Sequence, residues 1–174
     1  MRLRNWSWIG WLALIGCGGG TLWAPMDGGR GDWLATGGPN GRVAVHLDGP
    51  TPPLELLWSK DTDSPPVGGA LLAGSVLVQV GQTDRIQAFD LTDGNRLGRK
   101  GTDGSACGPG AIFGRLGELL VLPEVGKKDR LRAYDRRTRK MVWQLDTRAC
   151  APMAGIGDTV LDPDGSRQKI KKIS

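Results

Sequence analysis

An all-β fold is predicted by three features of the sequence. Gly 28 and Pro 11 among 174 residues, with almost no Glu/Lys/Ala-rich helical stretch, favour short strands joined by tight turns. Short apolar runs such as Ser75–Val80 and Glu118–Leu122 are of the buried-strand type. A unit also repeats: Pro66, Pro109 and Pro152 stand 43 residues apart, each ahead of a Gly/Ala-rich apolar stretch. A period near 43 with about four short strands per unit marks propeller blades. The expected architecture is therefore a partial β-propeller of about three four-stranded blades after an N-terminal signal peptide. A generic β-meander is the alternative.

The first element, residues 1–16, reads as a lipoprotein signal peptide. Arg2 and Arg4 hold the start on the cytoplasmic side, and the apolar stretch from Trp6 to Gly16 is short for a bilayer core of ~30 Å. Leu14-Ile15-Gly16-Cys17 resembles the bacterial lipobox, which implies cleavage after Gly16 and lipidation of Cys17. A small residue admits the scissile bond, and a thiol is needed for the thioether. Several acyl chains, at ~0.8 kcal/mol per buried methylene, give a stable membrane anchor where one would be marginal. The alternative is an uncleaved membrane helix running through Gly20 to Trp23, against which three consecutive glycines argue.

Residues 17–31 follow as the lipidated cysteine and a flexible tether beginning Gly18-Gly19-Gly20-Thr21. Residue 18 is not Asp, which by resemblance to enterobacterial sorting implies the outer membrane rather than the inner, with the protein facing the periplasm.

Residues 32–165 carry the repeats. Arg85-Ile-Gln-Ala88-Phe89-Asp90 returns 45 residues later as Arg130-Leu-Arg-Ala133-Tyr134-Asp135. The runs Ile86–Asp90 and Leu131–Asp135 are the next strands of each unit, and Thr92-Asp93-Gly94 supplies turn chemistry before Asn95–Lys100. Trp58 and Trp143 each lie eight or nine residues ahead of Pro66 and Pro152.

These spacings resemble the A-x-D-x-x-T-G-x-x-x-W docking motif of pyrroloquinoline-quinone (PQQ)-like propeller repeats. The resemblance rests on Ala88, Asp90 and Gly94 in one copy and on Ala133, Asp135 and Trp143 in the next. Ala would keep the gap between blades narrow, Asp would cap the turn, Gly would take φ > 0, and the indoles of Trp58 and Trp143 would dock between blades. Neither copy is complete, since Gly98 stands where the first wants Trp and Arg139 where the second wants Gly. The opening Asp32-Trp33-Leu-Ala-Thr-Gly37-Gly38-Pro39-Asn40-Gly41 resembles the W-P-x-x-R-G-P start of exported quinoprotein-like propellers.

Residues 166–174 are read as a basic tail outside the repeats. A closed ring of this family needs about seven or eight blades, so the chain is expected to be truncated unless several copies complete a ring.

The net charge of +5 does not point to nucleic acid. Six basic residues sit at the two ends, and the 17 that remain fall one short of the 18 acidic ones. No enzyme is expected. His46 is the only histidine and reads as a strand or loop residue of Val43–Leu47, so no His-based metal site and no Ser-His-Asp or Cys-His centre is evident. The calcium set and aromatic platform of a quinone enzyme cannot be assembled, so no cofactor and no metal are expected. Leader and repeats together resemble the outer-membrane assembly lipoproteins built on this fold, including the B subunit of the β-barrel assembly machine. That resemblance implies a non-catalytic scaffold for envelope proteins. The alternative is a fragment of an exported PQQ-dependent dehydrogenase-like quinoprotein. Cys107 and Cys150 fall at equivalent places in adjacent units, where an oxidising compartment favours a bridge, the alternative being two separate small buried residues.

Overall fold

The computed structural model describes residues 19–24, 32–35, 52–114, 116–147, 150, 153–156, 159–163 and 168–172. Residues 1–18, with Gly16 and Cys17, lie outside these, as do His46 and Pro152.

Twelve strands form three antiparallel sheets among the described residues. In the first, β1 (Leu71–Ala73), β2 (Val76–Gly81), β3 (Arg85–Asp90) and β4 (Arg96–Gly101) lie in chain order. In the second, β5 (Ser105–Ala106) and β6 (Ala111–Phe113) both pair with β7 (Leu119–Val125), followed by β8 (Arg130–Asp135) and β9 (Met141–Asp146). The third holds β10 (Ala154–Ile156), β11 (Thr159–Pro163) and β12 (Gln168–Lys172). This is an all-β, partial and unclosed propeller-like arrangement.

The strands form where alternation and continuous apolarity require them. Val76, Val78 and Val80 of β2 and Ile86 and Ala88 of β3 point to one face, where they meet Ile112, Leu120, Leu122 and Tyr134 of the second sheet. The opposite face of that sheet buries Ala111, Phe113, Leu119, Val121, Leu131 and Ala133 with Met153. A sheet covered on both faces needs apolar side chains at consecutive positions, which is why Leu119–Leu122 reads as an unbroken apolar run.

The leading strand of each of the first two sheets is interrupted. Pro66 bridges Gly81 ahead of β1, as Ala106 pairs with Glu124 ahead of β6. In register, then, Pro66 corresponds to Ala106 and not to Pro109. The connection from Phe113 to Leu119 is three residues longer than that from Ala73 to Val76, and this slides the proline series against the pairing. From the second sheet to the third the 43-residue spacing holds, and it places Cys150 four residues ahead of β10 as Cys107 is four ahead of β6. The two cysteines are joined in a disulfide, with Cα atoms 5.4 Å apart.

Two expectations are corrected. Gln168–Lys172, read as a tail beyond the repeats, pairs with β11 from Thr159↔Lys172 to Pro163↔Gln168. Its polar sequence hid a strand because antiparallel pairing is made by the backbone. The tether also differs from the expected flexible segment, because residues 19–24 are packed. Thr21 N donates to Leu97 O at 3.0 Å and Arg99 N to Gly19 O at 2.6 Å, which adds a short strand to the outer edge of β4. Leu22 is fully buried in the core between the first two sheets. Further along, Trp33 pairs with Leu72 and Ala35 with Ala111, so 32–35 ties the leading strands of both sheets together.

The packed segment explains the incomplete first motif. Gly98 lies opposite Ala88 as Trp143 lies opposite Ala133, and a Cβ at Gly98 would come within 2.3 Å of Thr21 O. The chain's own N-terminal strand occupies the space that a side chain at 98 would fill. We expect Gly98→Val to expel residues 19–24 and to lose the burial of Leu22, lowering stability by about 1.5–3 kcal/mol. Urea denaturation and protease sensitivity at Leu22–Trp23 measure this. An unchanged midpoint with an uncut segment would contradict it.

Candidate binding surfaces

The two docking motifs build the same turn. Asp90 Oδ1 accepts from Thr92 N at 2.7 Å, and Asp135 Oδ1 accepts from Arg137 N at 2.8 Å and Thr138 N at 2.9 Å. Gly94 N donates to Asp90 O and Arg139 N to Asp135 O, closing each turn at the same place. That place is left-handed, with φ 69° at Gly94 and 60° at Arg139. A non-glycine residue there is strained by about 1 kcal/mol. Ala88 and Ala133 are both fully buried, one in each of the two cores that flank the second sheet.

The tryptophans are half-buried rather than enclosed. Trp58 lies on the Gly94 turn, where a Cβ on Gly94 would stand 2.6 Å from the indole, and its Nε1 donates to Leu91 O at 2.9 Å. Trp143 packs at the margin of the core that holds Phe113 and Leu131. For Trp58→Ala we expect a loss of about 2 kcal/mol, roughly half the 3–5 kcal/mol of a fully buried aromatic. Chemical denaturation checks this, and a change under about 0.5 kcal/mol, the range of an ordinary surface substitution, would rule out docking.

A third tryptophan has the matching role on the second sheet, and sequence reasoning missed it. Trp23 Nε1 donates to Leu116 O at 3.4 Å, and the Arg137 guanidinium sits over its ring at 5.0 Å. Beneath it Arg136, fully buried, donates from Nε to Leu22 O at 3.0 Å and from Nη1 to Gly117 O. Burial lowers the Arg136 pKa to about 10, and attraction to Asp32 opposes the shift. The signal in the sequence was the gap at Gly98, since a missing indole asks what fills its place.

At the other end of the second sheet a buried charged group floors a cavity of about 420 Å³. Arg132 Nη1 donates to Glu124 Oε2 at 2.7 Å, and the Tyr134 hydroxyl donates to Glu124 Oε1 at 2.6 Å. Burial raises the Glu124 pKa despite the Tyr134 hydrogen bond and the Arg132 charge, and burial likewise raises that of Tyr134. Burial opposes the charge on Arg132, but Glu124, Tyr134 and Asp103 outweigh it and raise its pKa. The exposed carboxylate of Asp103 reaches Arg132 at 3.1 Å, and Lys127, Lys128 and Arg130 line the cavity above. Among the described residues no group of three or more His, Cys, Asp and Glu side chains is placed to hold a metal ion.

Two outer surfaces are open. Met141 and Val142 of β9 are 47% and 52% exposed, on the edge strand that corresponds to β4. Ahead of Trp58, Leu54, Leu56 and Leu57 are 68%, 84% and 82% exposed.

No protein-family model matches the sequence, and no curated protein matches it. Among 23 solved chains with matching structures is BamB from Moraxella catarrhalis, at a TM-score of 0.54 and 20% identity. The match covers 66% of this chain and 37% of that one, so this chain spans little more than a third of BamB's length. The likeness is one of fold, and with the paired sheets and repeated turns it makes the chain an all-β, propeller-like repeat protein similar in architecture to BamB.

Proposed function

We propose that the chain is a lipid-anchored, non-catalytic envelope protein whose sheets serve as a protein-binding scaffold, in the setting of outer-membrane protein assembly. The observation that carries this reading is the run Leu54, Leu56 and Leu57, held beside the first sheet by Trp58 yet exposed to solvent. Large apolar side chains gathered on a surface mark a site that a partner covers. The outer edge of β9, with which no strand pairs among the described residues, supports the same reading, because β4 already accepts an extended strand from this chain through backbone bonds. The fold likeness to BamB and the resemblance of Leu14–Cys17 to a lipobox support the envelope setting.

A triple Leu54→Ser, Leu56→Ser, Leu57→Ser variant tests the scaffold. Residues this exposed contribute little to folding, so the urea midpoint is expected to hold while crosslinking to envelope proteins from a probe at the exposed position 55 falls to background. Crosslinks unchanged in the variant would refute the surface. For the anchor, Cys17→Ala is expected to abolish incorporation of a fatty-acid analogue, and label retained in that variant would refute lipidation at Cys17.

A further inference from the structure

The end of the second sheet nearest the N-terminal segment has a composition the scaffold reading does not use. Three exposed or half-exposed cations, Arg137, Arg139 and Lys140, follow one another in the turn from β8 to β9. The acids close by are engaged. Asp135 caps the turn, Glu118 accepts from Leu116 N at 2.9 Å, and Asp93 on the neighbouring turn binds the backbone and side-chain nitrogens of Asn95. Beside the cations stand the half-buried Trp23 and Leu116, which is 43% exposed. Basic, aromatic and aliphatic side chains on one surface suit the bilayer interface, where the indole lies at headgroup depth and cations meet phosphates.

Chain connectivity places this end with respect to the anchor. Gly19 is fixed on β4 by Arg99 N, and a Cβ on it would lie 2.5 Å from the Arg139 guanidinium. Cys17 is two residues away, so its Cα lies within about 7 Å of Gly19. Only two peptide units separate the proposed lipid attachment from the sheet.

We propose that the surface formed by Trp23, Leu116, Arg137, Arg139 and Lys140 is the membrane-facing surface of the protein and takes anionic phospholipid headgroups. This rests on the reading of Cys17 as the lipidated residue. The hairpin of Lys127 and Lys128, at the far end of β8, then faces away from the bilayer with the charged cavity.

The test uses the full lipidated chain reconstituted in vesicles of phosphatidylcholine, or of phosphatidylethanolamine with phosphatidylglycerol. Exposed amines are acetylated with an uncharged reagent and arginines modified with phenylglyoxal, and each site is read by mass spectrometry. On anionic vesicles we expect Lys140 and Arg137 to react about tenfold more slowly than on phosphatidylcholine, an effect removed by high salt. Lys127 and Lys128 should react equally on both and serve as the internal reference. Equal reactivity at both ends, or protection of Lys127 and Lys128 instead, overturns the proposal. Equal protection by soluble polyphosphate on phosphatidylcholine vesicles also overturns it, by assigning the surface to polyanions in general. The anchor is read separately from fatty-acid label on the Cys17 peptide. Label present without protection refutes the surface alone, and protection without label refutes the anchor alone.

Discussion

Replacing Arg132 with methionine is expected to destabilise the protein by about 3–5 kcal/mol, because the change strands a buried charge. The Arg132 side chain is 6% exposed and Glu124 3%, at a separation of 2.7 Å. Without the guanidinium, the carboxylate keeps only the Tyr134 hydroxyl in a site that burial already makes unfavourable for charge. The pH dependence follows in sign. A carboxyl held above its ordinary value of 4.5 is protonated in the folded state while still ionised in the unfolded chain, so stability falls as pH rises through that interval. Loss of Arg132 widens the interval, and the deficit of the variant is therefore largest at neutral pH and shrinks on acidification. Adding Glu124→Gln should restore most of the loss, since a neutral amide can still accept from Tyr134. Urea midpoints at pH 5 and pH 7 measure all three effects, and a loss under about 1 kcal/mol for the single variant would mean the pair is solvated rather than buried.

The second large effect is expected at Cys107 and Cys150. The bridge closes a loop of 43 residues between the second and third sheets, and constraining the unfolded chain by such a loop is worth about 4 kcal/mol in the chain-entropy description. Set against the 5–15 kcal/mol of a typical domain, that is a large share. The double variant Cys107→Ser, Cys150→Ser and the reduced protein should unfold at the same, lower urea concentration. Mass-tagging of both thiols in unreduced protein, or a midpoint that reduction does not move, would dispose of the bridge.

The strands were legible in the sequence because their cause is local. The apolar runs Ser75–Val80 and Glu118–Leu122 give β2 to within one residue of its observed bounds and β7 to within three. The turns after Asp90 and Asp135 were legible from spacing, since a carboxylate two residues ahead of a backbone N–H and a left-handed position four residues on are properties of one short segment. What was hidden depends on distant segments. The packing of Leu22 and Trp23 follows from a gap at Gly98, more than 70 residues away in the chain. Glu124, Arg132 and Arg136 were passed over because charged residues are usually solvated, although alternation placed Glu124 on the same face as Leu120 and Leu122. The strand β12 had no apolar pattern to reveal it.

Arg136 donates to the carbonyl of Leu22 across a separation of 114 residues, and Asp32 accepts from Gly74 across 42. Contacts of such span must wait for the intervening chain, and folds rich in them form slowly. Residues 19–24, synthesised well before the β8–β9 turn, are thus among the last to find their place. If the chain is exported as proposed, this delay is useful: the β8–β9 turn against which Leu22 is held must be synthesised before residues 19–24 can lock, so that segment stays extended while export begins.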